Sequence, residues 1–148
     1  MAEFINTIDV IGDDLLSDSI IERSITEYKD NIITSIGIGA LRNCKQLTSV
    51  DLPVVTSIES MAFFFCSQLI TLILRSENLC ILSAINAFSN SAIGAGYIYV
   101  PRALLSDDDA TKDYRRASNW ANFSTQFRAL EDYTVDGTIT GELDESKI

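Results

Sequence analysis

The sequence predicts a short solenoid of stacked repeats with mainly parallel β-strands, and three observations lead to this prediction. A segment in the middle of the chain recurs after 22 residues. The apolar residues of each copy have the spacing of a short strand, which cannot cover its own apolar face and therefore stacks on its neighbours. The 148-residue chain is 47% apolar and 22% charged, which is the composition of a globular domain.

Two regular copies and one irregular copy define the repeat. The shared positions of the first copy are Thr34, Ser35, Ile36, Ala40, Leu41, Cys44, Leu47, Val50 and Leu52. Those of the second copy are Thr56, Ser57, Ile58, Ala62, Phe63, Cys66, Leu69, Leu72 and Leu74. A third copy retains Ala87, Phe88, Ile98 and Val100. The spacing Leu-x-x-Val/Leu-x-Leu matches the strand of a leucine-rich repeat, so we expect a leucine-rich-repeat solenoid of about 2.5–3 units with turn or 3-10 edges.

The pattern of residues 56–74 resembles the BspA-type leucine-rich repeats of bacteria. The copies depart from the family pattern in places: Leu41 replaces an aromatic residue, Ser91 replaces the third cysteine and Arg75 replaces a proline. The third unit, with Ala92–Gly96, has also lost its leucine. This resemblance covers about residues 20–145 and implies the solenoid fold that the repeat spacing also predicts.

Further segments resemble a narrower group. Tyr97–Pro101, Tyr114, Asn119–Trp120 and Tyr133–Thr138 are similar to the closing region of short repeat proteins from gut Firmicutes and their phages. This second resemblance implies an association with a phage or prophage particle.

Charge and composition divide the chain into four parts. The net charge of −10 comes from the two ends, because residues 31–101 carry as many basic as acidic residues. The predicted parts are an N-terminal segment with a cap strand (1–30), the leucine-rich repeats (31–101), a C-terminal helical cap (102–132) and a polar tail (133–148).

The flanks are expected to seal the stack, since a solenoid usually needs three or more units. At the N-terminal side we expect residues 20–25 to form a first strand, with Glu27 facing water. At the C-terminal side we expect a short helix over Thr111–Ala117, with Tyr114 and Trp120 packing on the last unit.

Composition excludes several function classes. The chain contains no histidine, which removes the commonest general base and most zinc sites. The negative charge argues against nucleic acid as a partner, and no apolar run is long enough for membrane insertion. No nucleophile motif is present, so we expect no enzyme activity and no cofactor. Without a signal peptide, synthesis in a reducing bacterial cytoplasm is expected, with later association with a virion.

Two groups of residues suggest metal binding but have simpler interpretations. Cys44 and Cys66 occupy equivalent points of adjacent units, and no further ligand pattern accompanies them, so we interpret them, with Cys80, as buried structural thiols. Asp107–Asp109 is interpreted as a solvated loop before a helix N-terminus, so no metal site is expected.

The strand positions that point away from the core form the first candidate binding surface. We expect Ser49, Thr71 and Tyr97 to stack in one column. We expect Asp51, Ile73 and Tyr99 to stack in the next column. Tyrosine provides contact area at low entropic cost, so this face suits a binding partner; the alternative is ordinary exposure of a sheet.

Phe64 and Phe65 form the second candidate surface. They follow Phe63, which fills the core position of its unit, and the other units have polar residues at these two places. Adjacent exposed aromatic residues suggest a contact site, and the alternative is that the N-terminal segment covers them.

Two functions are consistent with these patterns. The first is a non-enzymatic repeat module that binds protein or a cell-surface glycan, as a virion or tail-associated component for recognition or adhesion. The alternative is a purely structural capsid or tail subunit that forms a homo-oligomer through the apolar residues of its N-terminal segment.

Overall fold

The computed structural model describes residues 25–29 and 33–132, together with the backbone of two short strands on either side of this region. The strands are β1 (Glu3–Phe4), β2 (Val10–Ile11), β3 (Glu27–Lys29), β4 (Ser35–Ile36), β5 (Ser49–Leu52), β6 (Ser57–Ile58), β7 (Thr71–Leu74), β8 (Ile81–Leu82), β9 (Tyr97–Val100), β10 (Phe127–Ala129), β11 (Thr134–Val135) and β12 (Thr138–Ile139). The 3-10 helices are Ile85–Phe88, Ile93–Ala95, Arg102–Leu104, Ala110–Lys112, Tyr114–Arg116, Trp120–Gln126 and Leu130–Asp132.

The chain winds into a β-solenoid of about three turns with two parallel sheets. The front sheet has the strand order β1-β3-β5-β7-β9-β10, and the back sheet has the order β2-β4-β6-β8. Every pair within these two sheets is parallel. The leucine-rich-repeat solenoid predicted from the sequence is therefore confirmed.

Successive units stack in register because equivalent apolar residues face one core. Val50 pairs with Leu72, which pairs with Ile98, and Leu52 pairs with Leu74. All of these side chains are at most 1% exposed. Matching apolar side chains on neighbouring strands bury a continuous core that no single unit could form.

The turn edge, residues 37–48, 59–70 and 83–96, leads from each back-sheet strand to the next front-sheet strand. Its backbone also bonds between units: the Leu41 N–H donates to the Ala62 carbonyl at 2.9 Å, and the Phe63 N–H donates to the Ala87 carbonyl at 2.8 Å. Both alanines are fully buried. The small alanine side chains therefore allow the backbones of neighbouring units to approach.

The N-terminal part contributes more to the solenoid than the sequence analysis expected. β1 pairs with β3 and β2 pairs with β4, so a further turn precedes the first predicted unit. Residues 20–24 of the predicted first strand lie outside the described residues, while Ile25 precedes the strand. Glu27, expected to face water, is 7% exposed, because β3 has a neighbouring strand on each side.

The C-terminal cap differs from the predicted helical cap. The described residues contain no α-helix, and the helix predicted over Thr111–Ala117 is replaced by two 3-10 helices that flank Asp113. Asp113 has extended backbone, and its side chain accepts the Arg115 N–H two residues ahead. An aspartate that caps the following turn in this way ends the preceding helix.

Side chains of the cap close the exposed edge of the back sheet. The Cys80 N–H donates to the Tyr114 hydroxyl at 2.7 Å, and the Trp120 indole N–H donates to the Cys80 carbonyl at 2.7 Å. The Asn119 amide donates to the Leu82 carbonyl at 2.6 Å. Tyr114 and Trp120 are buried, as expected, and here they replace the hydrogen bonds that another strand would make.

The cap also extends the front sheet. β10 pairs in parallel with β9, placing Phe127 beside Ile98 and Ala129 beside Val100. The chain returns to the sheet after Pro101, where the sequence analysis placed the end of the repeats. That division into four parts remains a prediction.

Replacing Gly96 with alanine will destabilise the protein, because the new Cβ would fall on the backbone carbonyl of Ile70. The expected loss is about 1–3 kcal/mol in the free energy of unfolding, measured by urea denaturation. Gly94→Ala is the matched control, since its Cβ would meet no atom within 4 Å. Equal stability of the two variants would contradict the close contact.

Replacing Tyr114 with phenylalanine will destabilise the cap, because the buried Cys80 N–H loses its acceptor. The expected cost is about 1–3 kcal/mol. Amide hydrogen exchange should show faster exchange at Cys80 first. Tyr97→Phe is the control, because Tyr97 is 44% exposed and its substitution should leave stability unchanged.

Candidate functional site

The first predicted column lies on the outer face of the front sheet. Ser49 pairs with Thr71, and Thr71 pairs with Tyr97, as the sequence predicted. Ser49 and Thr71 are half-buried, while Tyr97 is 44% exposed. The accessible surface of this column is therefore concentrated at Tyr97.

The second predicted column exists in register, but two of its three residues are not exposed. Asp51 pairs with Ile73, which pairs with Tyr99, yet Asp51 and Ile73 are both 0% exposed. The Arg75 guanidinium donates to the Asp51 carboxylate at 2.9 Å, and Leu130 packs with Tyr99 against Ile73. The expectation that Asp51 and Ile73 face a partner is therefore wrong.

The exposed part of this face is the tyrosine–arginine patch: Tyr97, Tyr99 and Arg128. The two tyrosine rings lie 6.1 Å apart at 63°. Arg128 pairs with Tyr99 across the sheet, and its guanidinium carbon lies 4.6 Å from the centre of the Tyr97 ring. The patch therefore combines aromatic surface with a positive charge in a chain of net charge −10.

Arg128 is held in place by its own strand. Its guanidinium donates to the Thr125 carbonyl at 3.0 Å and to the Phe127 carbonyl at 2.7 Å. Arg128 was not among the predicted binding residues, because β10 comes long after β9 in the chain. The pairing of these two strands depends on the path of the cap between them. The alternation of buried Phe127, exposed Arg128 and buried Ala129 is the available signal, but three residues are too few to assign a strand.

The second candidate surface lies on the turn edge. Phe63 is fully buried and stacks on Phe88 at 5.3 Å, so it fills the core position as predicted. Phe64 is half-buried and Phe65 is 41% exposed, and their rings meet edge to face at 4.5 Å. Most of the N-terminal segment, proposed as an alternative cover for this pair, lies outside the described residues.

Phe65 has a backbone conformation that disfavours its side chain. Its φ is 59°, and the residues at the same position of the neighbouring units, Asn43 and Asn90, have φ values of 64° and 60°. Asparagine tolerates this left-handed region, whereas a bulky aromatic residue rarely adopts it. The second unit thus carries an exposed aromatic side chain at a position that favours asparagine.

The three cysteines are buried thiols and none of them forms a disulfide, which agrees with their interpretation as structural thiols. The Cys66 thiol donates to the Leu41 carbonyl at 3.1 Å. A hydrogen bond with Cys44 and burial raise the pKa of the Cys66 thiol, and burial raises the pKa of Cys80 to about 12. These thiols are therefore neutral and poorly suited to nucleophilic attack.

Asp107 and Asp109 of the acidic segment Asp107–Asp109 accept hydrogen bonds from other residues of the C-terminal cap. The Thr111 hydroxyl and the Thr111 N–H donate to Asp109 at 2.6 and 2.9 Å, and these two bonds lower the pKa of the Asp109 carboxyl. The bond from the N–H also caps a 3-10 helix. Asp107 accepts from Arg115 at 2.8 Å. Within the described ranges, no group of three or more metal-ligating side chains is placed to hold a metal ion.

Asp113 is the centre of an ion-pair cluster that fixes the cap. Its buried carboxylate accepts from Arg115 at 2.8 Å and from Arg116 at 2.9 Å. Burial alone would raise the pKa of Asp113, but the hydrogen bonds from Arg115 and Arg116 outweigh it and hold the pKa below its ordinary value. The charged form of Asp113 therefore stabilises the folded cap.

Two cavities border the C-terminal cap and lie away from both candidate surfaces. One of them, of about 370 Å³, lies between β8 and the cap loop and is lined by Ile81, Ser83 and Trp120, among others. In the described part of the chain, no helix has the length and apolar character needed to cross a bilayer.

The repeats of this chain match those of a known protein family. A family model described as the BspA type leucine rich repeat region matches residues 2–103 in six copies. The match includes β1 and β2, which agrees with the additional N-terminal turn of the solenoid. No curated protein and no solved structure matches the chain.

Acid will weaken the cap through Asp113. Folding lowers the pKa of Asp113, so the ionised carboxylate stabilises the folded protein fully at pH values above the ordinary pKa of an aspartate. This stabilisation is lost as the pH falls through the pKa that Asp113 has in the folded state. Asp113→Asn should cost about 2 kcal/mol in the free energy of unfolding at neutral pH, and this difference from the wild type should shrink below about pH 4.

Urea denaturation across this pH range measures the difference. Asp108→Asn is the control, because Asp108 is exposed and should leave the pH profile unchanged. A gap between the Asp113→Asn variant and the wild type that stays constant down to acid pH would contradict the role of the carboxylate.

Proposed function

The chain belongs to the BspA-type leucine-rich repeat family, and we propose that it binds a protein partner through the tyrosine–arginine patch. Repeats of this family are generally non-enzymatic scaffolds for protein binding or adhesion. The observation that carries the proposal is the exposure of Tyr97 beside Tyr99 and Arg128 on the outer face of a rigid sheet.

The chemistry of the patch favours a protein over a glycan. Tyrosine and arginine are enriched among the residues that contribute most to protein–protein affinity. The sheet holds the two tyrosines in position, so little side-chain entropy is lost on binding. The positive charge of Arg128 suits a partner with an acidic or carbonyl-rich surface.

The particle association is a separate proposal. We propose that the module is a component of a phage or prophage virion or tail, for recognition or adhesion. The resemblance of Tyr97–Pro101, Asn119–Trp120 and Tyr133–Thr138 to phage-associated repeat proteins supports it. Mass spectrometry of particles purified from the source organism should detect the chain, and its absence from every particle fraction would contradict this proposal.

The purely structural alternative depends on the N-terminal segment as an oligomer contact. The backbones of β1 and β2 pair with β3 and β4 of the same chain, so these strands serve the solenoid itself. This observation favours the binding module over the structural subunit.

Loss of the aromatic surface should abolish partner capture without unfolding the protein. Tyr97→Ser is expected to weaken binding at least tenfold, about the loss typical of a central interface residue. Immobilised wild type and variant are exposed in parallel to bacterial surface-protein extracts and to a glycan array, and retained molecules are quantified.

Ile81→Ser is the matched control, because Ile81 is 66% exposed on a strand of the back sheet. Its binding should equal that of the wild type. If the wild type retains glycans and no protein, the partner is a glycan and the proposed protein partner is wrong. If the wild type and Tyr97→Ser capture equal amounts, the tyrosine–arginine patch is not the binding surface.

A further inference from the structure

The guanidinium of Arg128 is only partly used by the fold. Its Nη1 donates to the carbonyls of Thr125 and Phe127, at 3.0 and 2.7 Å. A guanidinium has five N–H groups in one plane, so the Nε–H and the two Nη2–H groups remain. These groups form no hydrogen bond with the residues that the structure describes, and Arg128 is exposed. The edge formed by Nε and Nη2 is therefore accessible to a partner.

Other arginines of the chain bind carboxylates within the fold. Four of those in the described ranges each form an ion pair with an aspartate: Arg75 with Asp51, Arg102 with Asp132, and Arg115 and Arg116 with Asp113. Arg128 contacts backbone carbonyls and an aromatic ring instead. The chain has 21 acidic against 11 basic residues, so a shortage of carboxylates does not explain this difference.

The acidic residues that follow Arg128 in the chain are bonded elsewhere. The Glu131 carboxylate accepts the Arg102 N–H at 2.9 Å, and the Asp132 carboxylate pairs with the Arg102 guanidinium. Leu130, which precedes them, packs with Tyr99 against the sheet. The fold thus directs these two carboxylates to Arg102 and leaves the Nε–Nη2 edge of Arg128 for an external group.

Arg128 is held in an orientation that suits such a group. Its guanidinium carbon lies 4.6 Å from the centre of the Tyr97 ring, and its backbone pairs with Tyr99. An ordered guanidinium loses little side-chain entropy when it binds, and its planar edge matches the two oxygens of a carboxylate. A single carbonyl oxygen would leave part of this edge without an acceptor. The geometry therefore favours a carboxylate over a carbonyl.

We propose that the partner of the tyrosine–arginine patch presents an Asp or Glu side chain whose carboxylate accepts from Nε and Nη2 of Arg128. This inference rests on the proposed function, because it names the group that the patch recognises. The net charge of −10 repels a partner that is acidic over its whole surface. The matching partner therefore has one carboxylate within a neutral or basic surface. The rings of Tyr97 and Tyr99 exclude water beside the ion pair and so strengthen it.

A double-mutant cycle with defined peptides tests this proposal. Random peptides displayed on yeast are selected on the immobilised full chain, and binders that fail to bind Tyr97→Ser are synthesised with amidated C-termini. Each Asp of a peptide is changed to Asn, and each Glu to Gln, and fluorescence polarisation gives the dissociation constants. For the wild type, one such change should raise the dissociation constant at least about tenfold. For Arg128→Gln the same change should have less than about a twofold effect, because the ion pair is already lost.

Arg128→Lys separates the planar edge from the charge. Lysine retains the positive charge but lacks the two parallel N–H groups, so the dissociation constant of the acidic peptide should be at least about fivefold higher than for the wild type. Lys112→Gln is the matched control for Arg128→Gln, because it removes one positive charge from an exposed 3-10 helix of the cap. It should bind the peptide as the wild type does. Equal Tm values of all these proteins show that the changes in binding do not come from unfolding.

The outcomes distinguish this contact from the proposed function. Peptides that require Tyr97 but bind equally well after every acidic residue is replaced overturn the carboxylate contact and leave the proposed function intact. So does a peptide carboxylate whose replacement weakens binding to Arg128→Gln as much as to the wild type, because another group then binds it. Binding that is lost on amidation alone assigns the contact to a terminal carboxylate and overturns the side-chain source. A library without any binder that requires Tyr97 contradicts the proposed function and this inference together.

Discussion

Parallel backbone pairing between successive units determines which residues of this chain become neighbours. Each strand bonds to the equivalent strand of the next turn, so residues at the same place in the repeat lie in columns. An inward column must then be apolar along its whole length, as Val50, Leu72 and Ile98 are. An outward column is free to diverge, so the differences between units carry the information about binding.

Parallel pairing leaves unpaired backbone groups at the last strand of each sheet. The C-terminal cap covers the two edges in different ways. At the front sheet it supplies β10 as one more parallel strand. At the back sheet it supplies no strand, and the side chains of Tyr114, Asn119 and Trp120 take over the hydrogen bonds of β8. Aromatic residues suit this task because they fill the end of the core and satisfy the backbone together.

The two candidate surfaces differ in how well their side chains suit the local backbone conformation. The tyrosine–arginine patch lies on regular strands, where β-formers such as tyrosine are favoured and no strain accompanies exposure. The Phe64–Phe65 pair lies on a turn whose geometry favours asparagine. A binding role for the patch is thus compatible with optimal local structure, whereas a role for the phenylalanine pair has to compensate for a local cost.

The repeat, the parallel stacking and the columns could all be predicted from the sequence, because a period of 22 residues specifies which side chains become neighbours. The same comparison of units identified Phe63 as a core residue and Tyr97 as an exposed one. The burial of Asp51 and Ile73 could not be predicted in this way, since Arg75 and Leu130, which cover them, lie outside the strand pattern. Likewise, only the tertiary structure shows that β1 and β2 add a turn and that Arg128 completes the patch. The physical reason is that these contacts join segments of irregular spacing, whose path depends on packing and not on a local period.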